Sequence, residues 1–231
     1  MNFEEKLAAT RGLLQEIASG YGPSVLANSL GAEDMVLTDM IDKLQLPIGV
    51  FCLDTGRLHS ETYEQLERLR SRYPSLSLQV YYPDGAALGA WVSQHGVNAF
   101  YQSIELRQQC CGLRKTEPLK RALTGKKAWI TGMRREQSPT RSGLEAGGFD
   151  ETHQLMKFNP LLEWSEAEVW QYLREHEVPY NALHDQHYPS IGCAPCTRAI
   201  SLGEDLRAGR WWWENPETKE CGLHVRIIKQ G

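Results

Sequence analysis

The chain has 231 residues, 41% of them hydrophobic and 23% charged, with a formal net charge of −4. That is enough for one large domain, expected over residues 1–210, with a C-terminal tail over residues 211–231. No apolar run approaches the roughly 18 residues that a membrane span needs, and Glu4, Glu5, Lys6, Arg11 and Glu16 stand on a helical repeat where a leader would be apolar. No membrane association is expected, and a cytoplasmic location is.

Residues 3–18 read as an amphipathic helix with Leu7, Leu13, Leu14 and Ile17 inward, ended by Gly20 and Gly22. Ser24 to Ala27 is a short buried-type strand that runs into the turn Asn28-Ser29-Leu30-Gly31-Ala32-Glu33-Asp34. A helix follows, with Val36, Leu37, Met40, Ile41 and Leu44 at helical spacing. The second strand, Ile48 to Cys52, closes on Leu53-Asp54-Thr55-Gly56-Arg57 ahead of a helix through Leu66 and Leu69. A third strand is expected over 76–82 and a fourth over 127–131, with a helical excursion over about 85–122 between them. This alternation predicts an α/β fold, a parallel twisted sheet flanked by helices whose ligands sit beyond the carboxyl ends of the strands. The turns at 28–34 and 53–57 fall on that edge. After the fourth strand, Gly132 opens a long polar loop of the kind that often serves function. Ser165 and Glu168 form a capping box for a last helix, with Trp164 placed to staple Val169. From Pro179 onward the periodicity fades into Gly, Pro and aromatic residues.

Four of the six cysteines fall into two pairs, Cys110-Cys111 and Cys193-Ala-Pro-Cys196, with 81 residues between. In a reducing compartment such grouping points to metal or catalysis rather than disulfides. Four sulfurs can hold an iron–sulfur cluster or a structural zinc. The peptide joining adjacent cysteines restricts how both sulfurs face one atom, which tilts the reading towards a cluster, but spacing leaves zinc open. Arg114 and Lys115 follow within four residues and put positive charge beside it. Cys52, in an apolar strand, reads as core. Cys221 stands apart in Glu220-Cys221-Gly222-Leu223-His224, near Lys219 and Arg226. Those cations would lower its thiol pKa if they gather around the sulfur; the competing reading is an incidental cysteine in a tail.

Ser29 and Gly31 stand where a helix N-terminus offers unpaired N–H groups to a phosphate, though an N-capping Ser29 and a permissive Gly31 would explain them equally. Asp54, Thr55 and Gly56 form a second turn at the same edge. Arg134, Arg135, Arg141, Arg207 and Arg210 are candidates for oxyanion recognition, because guanidinium forks match phosphate and sulfate. Between Arg107 and Arg141 ten Lys or Arg face only Glu117 and Glu136, a local charge of +8 against −12 elsewhere. Such a block is usually a solvated face, and sparse aromatic residues argue against RNA. Trp211-Trp212-Trp213 reads as an anchor for the tail.

Taken together, Cys110-Cys111, Cys193-Ala-Pro-Cys196, Arg207-Ala-Gly-Arg210-Trp-Trp-Trp213 and Glu220-Cys-Gly-Leu-His224 resemble the assimilatory adenylyl-sulfate (APS) reductases of the APS/PAPS reductase family. Ser29-Leu-Gly-Ala-Glu-Asp34 is similar to that family's altered pyrophosphate loop, and Leu53-Asp-Thr-Gly-Arg57 to its second turn. The resemblance implies an adenine-nucleotide α-hydrolase-like (PP-loop type) sheet with a mobile C-terminal tail. It implies one 4Fe-4S cluster on Cys110, Cys111, Cys193 and Cys196, and Cys221 as the nucleophile aided by His224. Adenosine 5′-phosphosulfate would be substrate and thioredoxin the reductant. Ser29, Gly31, Asp54, Thr55, Gly56, Lys115, Arg134, Arg135, Arg207 and Arg210 would bind substrate, and the four-cysteine set implies APS over the 3′-phosphorylated PAPS.

Two rivals remain. An ATP pyrophosphatase of the tRNA-thiolating type usually carries Ser-Gly-Gly-x-Asp-Ser, and here the second Gly and final Ser are displaced. A cluster-bearing nucleic-acid binder would leave residues 220–224 unexplained, so no nucleic-acid partner is expected. The sequence leaves open whether the chain forms a homo-oligomer.

Overall fold

The computed structural model describes residues 1–137 and 143–215. Among them six strands form one sheet: β1 (Ser24–Ala27), β2 (Ile48–Leu53), β3 (Leu78–Tyr81), β4 (Ala128–Ile130), β5 (Gly147–Asp150) and β6 (Leu155–Phe158). Their order is β3-β2-β1-β4-β6-β5, parallel throughout except that β5 runs antiparallel to β6. The central strands are short apolar runs, as strands covered on both faces must be. Around them lie α1 (Phe3–Gly20), α2 (Ala32–Lys43), α3 (Ser60–Arg72), α4 (Gly85–His95), α5 (Ile104–Cys111), α6 (Glu117–Leu123) and α7 (Glu166–Glu175).

The four expected strands and the helices fall within two or three residues of their predicted bounds. The exception is the pair β5–β6, which replaces part of the loop expected after β4. Two consecutive glycines open β5, so side-chain alternation gave no signal, but Gly147 lies where a Cβ would meet the Phe158 ring at 2.7 Å. That close approach lets the hairpin extend the sheet.

Buried residues divide into clusters on the two faces of the sheet and a third around the cysteines. α2 is enclosed almost all round, from Met35 to Ile41. Its fully buried carboxylate, Asp39, is held by the hydroxyls of Tyr73 and Tyr172 at 3.1 and 2.7 Å and by Lys43 at 2.8 Å. α7 begins with the expected capping box of Ser165 and Glu168, and Lys6 of α1 reaches the same Glu168 at 2.9 Å. Of the expected tail, Trp211 to Asn215 are described: Trp211 is 1% exposed and Glu214 is ion-paired within the body. No helix of the described residues is long and apolar enough to cross a membrane.

Strand order reverses between β1 and β4, and open α/β sheets place their ligand crevice at such a point. Here Asp34, on the first turn of α2, ties the two sides together. Its Oδ2 accepts from the Ser29 N–H and hydroxyl at 2.7 and 2.6 Å, and its Oδ1 accepts from the Gly132 N–H at 3.1 Å. Gly132 is required by this approach, since a Cβ there would come within 2.5 Å of the carboxylate.

Burial outweighs those three hydrogen bonds and raises the Asp34 pKa from 3.8 to about 6. Between these values the folded state holds a proton that the unfolded state has released, so the Asp34 contribution to stability falls as pH rises through the window. We expect urea denaturation of Asp34→Asn against wild type to shift in favour of the variant by on the order of 3 kcal/mol from about pH 4 to about pH 7. A stability difference that does not change with pH would refute the raised pKa.

Candidate functional site

The turn after β1 is built by its own side chains. Asn28 Oδ1 accepts from the Leu30 N–H at 2.6 Å, which holds Leu30 at a φ of 66°. Gly31, not Ser29, is the N-cap residue of α2. The N–H and hydroxyl of Ser29, expected to meet a phosphate, both donate to Asp34 and hold the turn in shape. The anion-binding capacity of this edge rests with the N–H groups of the first turn of α2, which have no intrahelical acceptors.

The turn after β2 is equally constrained. Asp54 accepts from the Gly56 N–H at 2.7 Å and from the Tyr63 hydroxyl at 2.9 Å. Burial and that carboxylate raise the Tyr63 pKa to about 12, and Gly56 takes a φ of 69°. Thr55, expected to face the nucleotide, points its hydroxyl at the sulfur of Cys193, 3.2 Å away. The Thr55 carbonyl accepts from Arg114 at 2.5 Å, and the Arg57 carbonyl accepts from the Ala194 N–H at 2.8 Å. The turn after β2 and the cysteines therefore form one structure.

Cys110 and Cys111 end α5, where the helix passes through a π-helical turn, Gly112–Thr116, into α6. Single π turns of this kind are frequent at functional sites. Cys193 leads into a 3-10 turn, Ala194–Cys196. All four sulfurs are buried in one cluster with Trp91, Phe100 and Trp211. Beside them lies a small cavity of about 20 Å³ to which Arg57, Arg107, Arg114 and Lys115 contribute. Burial raises the Cys196 pKa to about 12, with Cys193 and Cys111 adding to the rise while Lys115 and Arg210 oppose it. Burial likewise raises Cys110, against the pull of Arg114. Among the described residues no group of His, Cys, Asp or Glu has the arrangement of a single-ion metal site. The cluster does hold two buried donors without acceptors, Arg114 Nε and Trp211 Nε1.

The candidate arginines separate. Arg134 is 3% exposed and pairs with Glu33 at 2.9 Å and Glu136 at 3.0 Å. Together with Arg207, Trp170 and His184 it lines a second cavity of about 90 Å³ beside the start of α2. Arg135 turns the other way, onto Glu163 at 2.7 Å near the surface. Arg210 reaches Ser190 and Ile191 and lies 4.8 Å from the centre of the Trp211 ring. Arg141, Cys221 and His224 lie outside the described residues.

The basic block between Arg107 and Arg141 does not form one face: Arg107, Arg121, Arg134 and Arg135 are each paired with a carboxylate. Sequence reasoning missed Arg57 and Arg107 as walls of the cysteine site. Arg107 carried a signal, since it stands three and four residues before the two cysteines on one helix face. Arg57 carried none, because its approach to Phe100 depends on how the turn meets a distant segment.

The geometry has counterparts in known proteins. Residues 23–199 match the phosphoadenosine phosphosulfate reductase domain. An adenosine 5′-phosphosulfate reductase from Allochromatium vinosum is 56% identical over 219 residues, covering 95% of this chain and 85% of that protein. Among solved structures, phosphoadenylyl-sulfate reductase from Candida auris superimposes with a TM-score of 0.72 at 27% identity, covering 83% of this chain and 90% of the other. Yeast FAD synthetase shares the fold, with a TM-score of 0.59 at 18% identity over 85% of this chain and 67% of its own. A sheet reversed at β1 and β4, with a match that runs through both cysteine pairs and both edge turns, means that the chain belongs to the phosphoadenosine phosphosulfate reductase family.

Proposed function

We propose that the protein reduces adenosine 5′-phosphosulfate to sulfite and AMP in sulfate assimilation, with Cys221 as nucleophile and thioredoxin as reductant. The observation that carries this reading is the join between the β2 turn and the cysteines through Thr55, Cys193 and Arg114. It supports the reading because cations and cysteines stand next to the sheet edge at which open α/β sheets bind their ligands. The names of the relatives point to the nucleotide that lacks a 3′-phosphate.

In the first half-reaction the Cys221 thiolate attacks the sulfur of the phosphosulfate. A sulfur–sulfur bond forms, the sulfur–oxygen bond to phosphate breaks, and AMP leaves with the bonding electrons. This is covalent catalysis with an anhydride leaving group. In the second, a thioredoxin thiolate attacks Cys221 Sγ, sulfite leaves, and the second thioredoxin thiol closes its disulfide, freeing Cys221. Two electrons thus pass from the dithiol to sulfur. The substrate brings clustered negative charge, and Lys115, Arg134, Arg207 and Arg210 are the side chains we assign to neutralise it. Arg134 can do so by exchanging its Glu33 partner for the substrate. Arg135 is assigned a supporting part at the rim, and His224 the task of holding the Cys221 thiolate. Ser29, Gly31, Asp54 and Gly56 shape the two turns that receive the nucleotide.

The residues present fit a 4Fe-4S cluster. Four buried thiols, a cavity walled by cations, and buried donors on Arg114 and Trp211 without acceptors suit an anionic sulfur-rich group. Cys110, Cys111, Cys193 and Cys196 would hold it, and when bound it would supply negative charge and rigidity beside the substrate site. Burial raises the thiol pKa of Cys110 and Cys196, and a bound metal centre would supply the positive charge that offsets it.

With APS and thioredoxin, Cys221→Ser is expected to lose sulfite formation entirely while binding AMP with unchanged affinity; a sulfite-mass adduct on any other peptide would sink the mechanism. Iron and sulfide analysis should return about four of each per chain, and stoichiometric zinc without iron would refute the cluster. APS is expected to exceed PAPS in kcat/KM by more than about tenfold, since a site not built for the extra phosphate must desolvate it unpaired. Equal values would favour a dual-substrate enzyme, and release of pyrophosphate from Mg-ATP would favour the rival chemistry.

A further inference from the structure

Arg107 and Glu214 lie 107 residues apart in sequence and form a two-pronged ion pair. Arg107 Nε donates to Oε1 at 2.5 Å and Nη2 to Oε2 at 3.0 Å, and the side chains are 0% and 5% exposed. A pair this buried contributes little net stability, because desolvation offsets its attraction, but it fixes which segments meet. The two segments here are the end of α5, with both adjacent cysteines, and the last described turn of the chain.

Further contacts hold the same point. The guanidinium of Arg107 lies 4.7 Å from the centre of the Trp211 ring. The Trp211 N–H donates to the Cys196 carbonyl at 3.1 Å, and the Glu214 N–H to the Trp211 carbonyl at 2.9 Å. The chain that leaves Cys196 is folded back by a bridge between Thr197 and Arg210 and is returned to the cysteines before it continues. From Glu214 to Cys221 are seven residues, a span of at most about 24 Å.

We infer that Arg107 and Glu214 are positioning residues for sulfur transfer: their ion pair anchors the origin of the Cys221 segment to the cysteine centre and so sets where the thiolate can reach. The inference rests on the reading of Cys221 as the nucleophile. Tether length alone has a weak effect on local concentration, so the anchor acts mainly by fixing the starting point and direction of the segment.

The test is a single turnover with APS and no thioredoxin, following the sulfite adduct on Cys221 by mass, with AMP affinity and iron content measured on the same samples. Glu214→Gln is expected to slow adduct formation by about tenfold with affinity and iron unchanged. Two glycines inserted after Asn215, leaving the anchor intact, should slow it by less than about twofold. A wild-type adduct rate in Glu214→Gln overturns the inference. Loss of iron or of AMP affinity in step with the rate also overturns it, because the pair then serves the metal centre or the nucleotide site. An adduct that still forms in Cys221→Ser overturns the reading beneath it instead.

Discussion

The contact on which the rest of the site depends is made by Thr55. Its carbonyl accepts from Arg114 and its hydroxyl meets Cys193, so one residue at the end of β2 joins the sheet edge, the helical excursion and the C-terminal loop. The cysteine cluster becomes a core only when all three are present: Trp91 and Phe100 come from the excursion, Cys193, Cys196 and Trp211 from the C-terminal loop, and the Arg57 guanidinium covers Phe100 from the turn. The apolar residues that exclude water from the sulfurs therefore also fix the β2 turn against them.

Charge follows the same logic. Two buried guanidiniums, those of Arg134 and Arg107, are set against carboxylates. Arg134 is balanced by Glu33 and Glu136 at the start of α2, where a bound anion would compete with Glu33. Arg107 is balanced by Glu214, where exchange would release the chain end instead. In a site of low dielectric an unbalanced guanidinium would be costly, and carboxylate partners let the cations be held in position before an anionic ligand arrives. Asp34 does for the backbone what these pairs do for side chains, by spending the Ser29 and Gly132 donors so that the two loops at the reversal of strand order keep their shape.

Much of the molecule was legible in its residues. Near-continuous apolar strands alternating with helical periodicity gave the parallel sheet, because strands covered on both faces leave no other pattern. Ser165 and Glu168 announced a helix start because a capping box is a local structure. The β5–β6 hairpin was not legible: Gly147 and Gly148 carry no side chains, and the reason for Gly147 is the Phe158 ring across the hairpin. The alternative reading of Ser29 as an N-cap fails for a related reason. As a serine before a helix it resembles a cap, but Asp34 captures both of its donors and Gly31 takes the cap position.

By itself the sequence determined the fold class, the grouping of four cysteines and the separateness of the fifth, since each depends on residue type and spacing along the chain. Only the tertiary structure decided what each cation faces. Arg134 and Arg135 are neighbours in sequence but point to opposite carboxylates, whereas Arg107 and Glu214 meet across 107 residues. The reason is physical. Backbone preference and apolar periodicity act over a few residues, but the partner of a long charged side chain is chosen by whichever segments the core brings together.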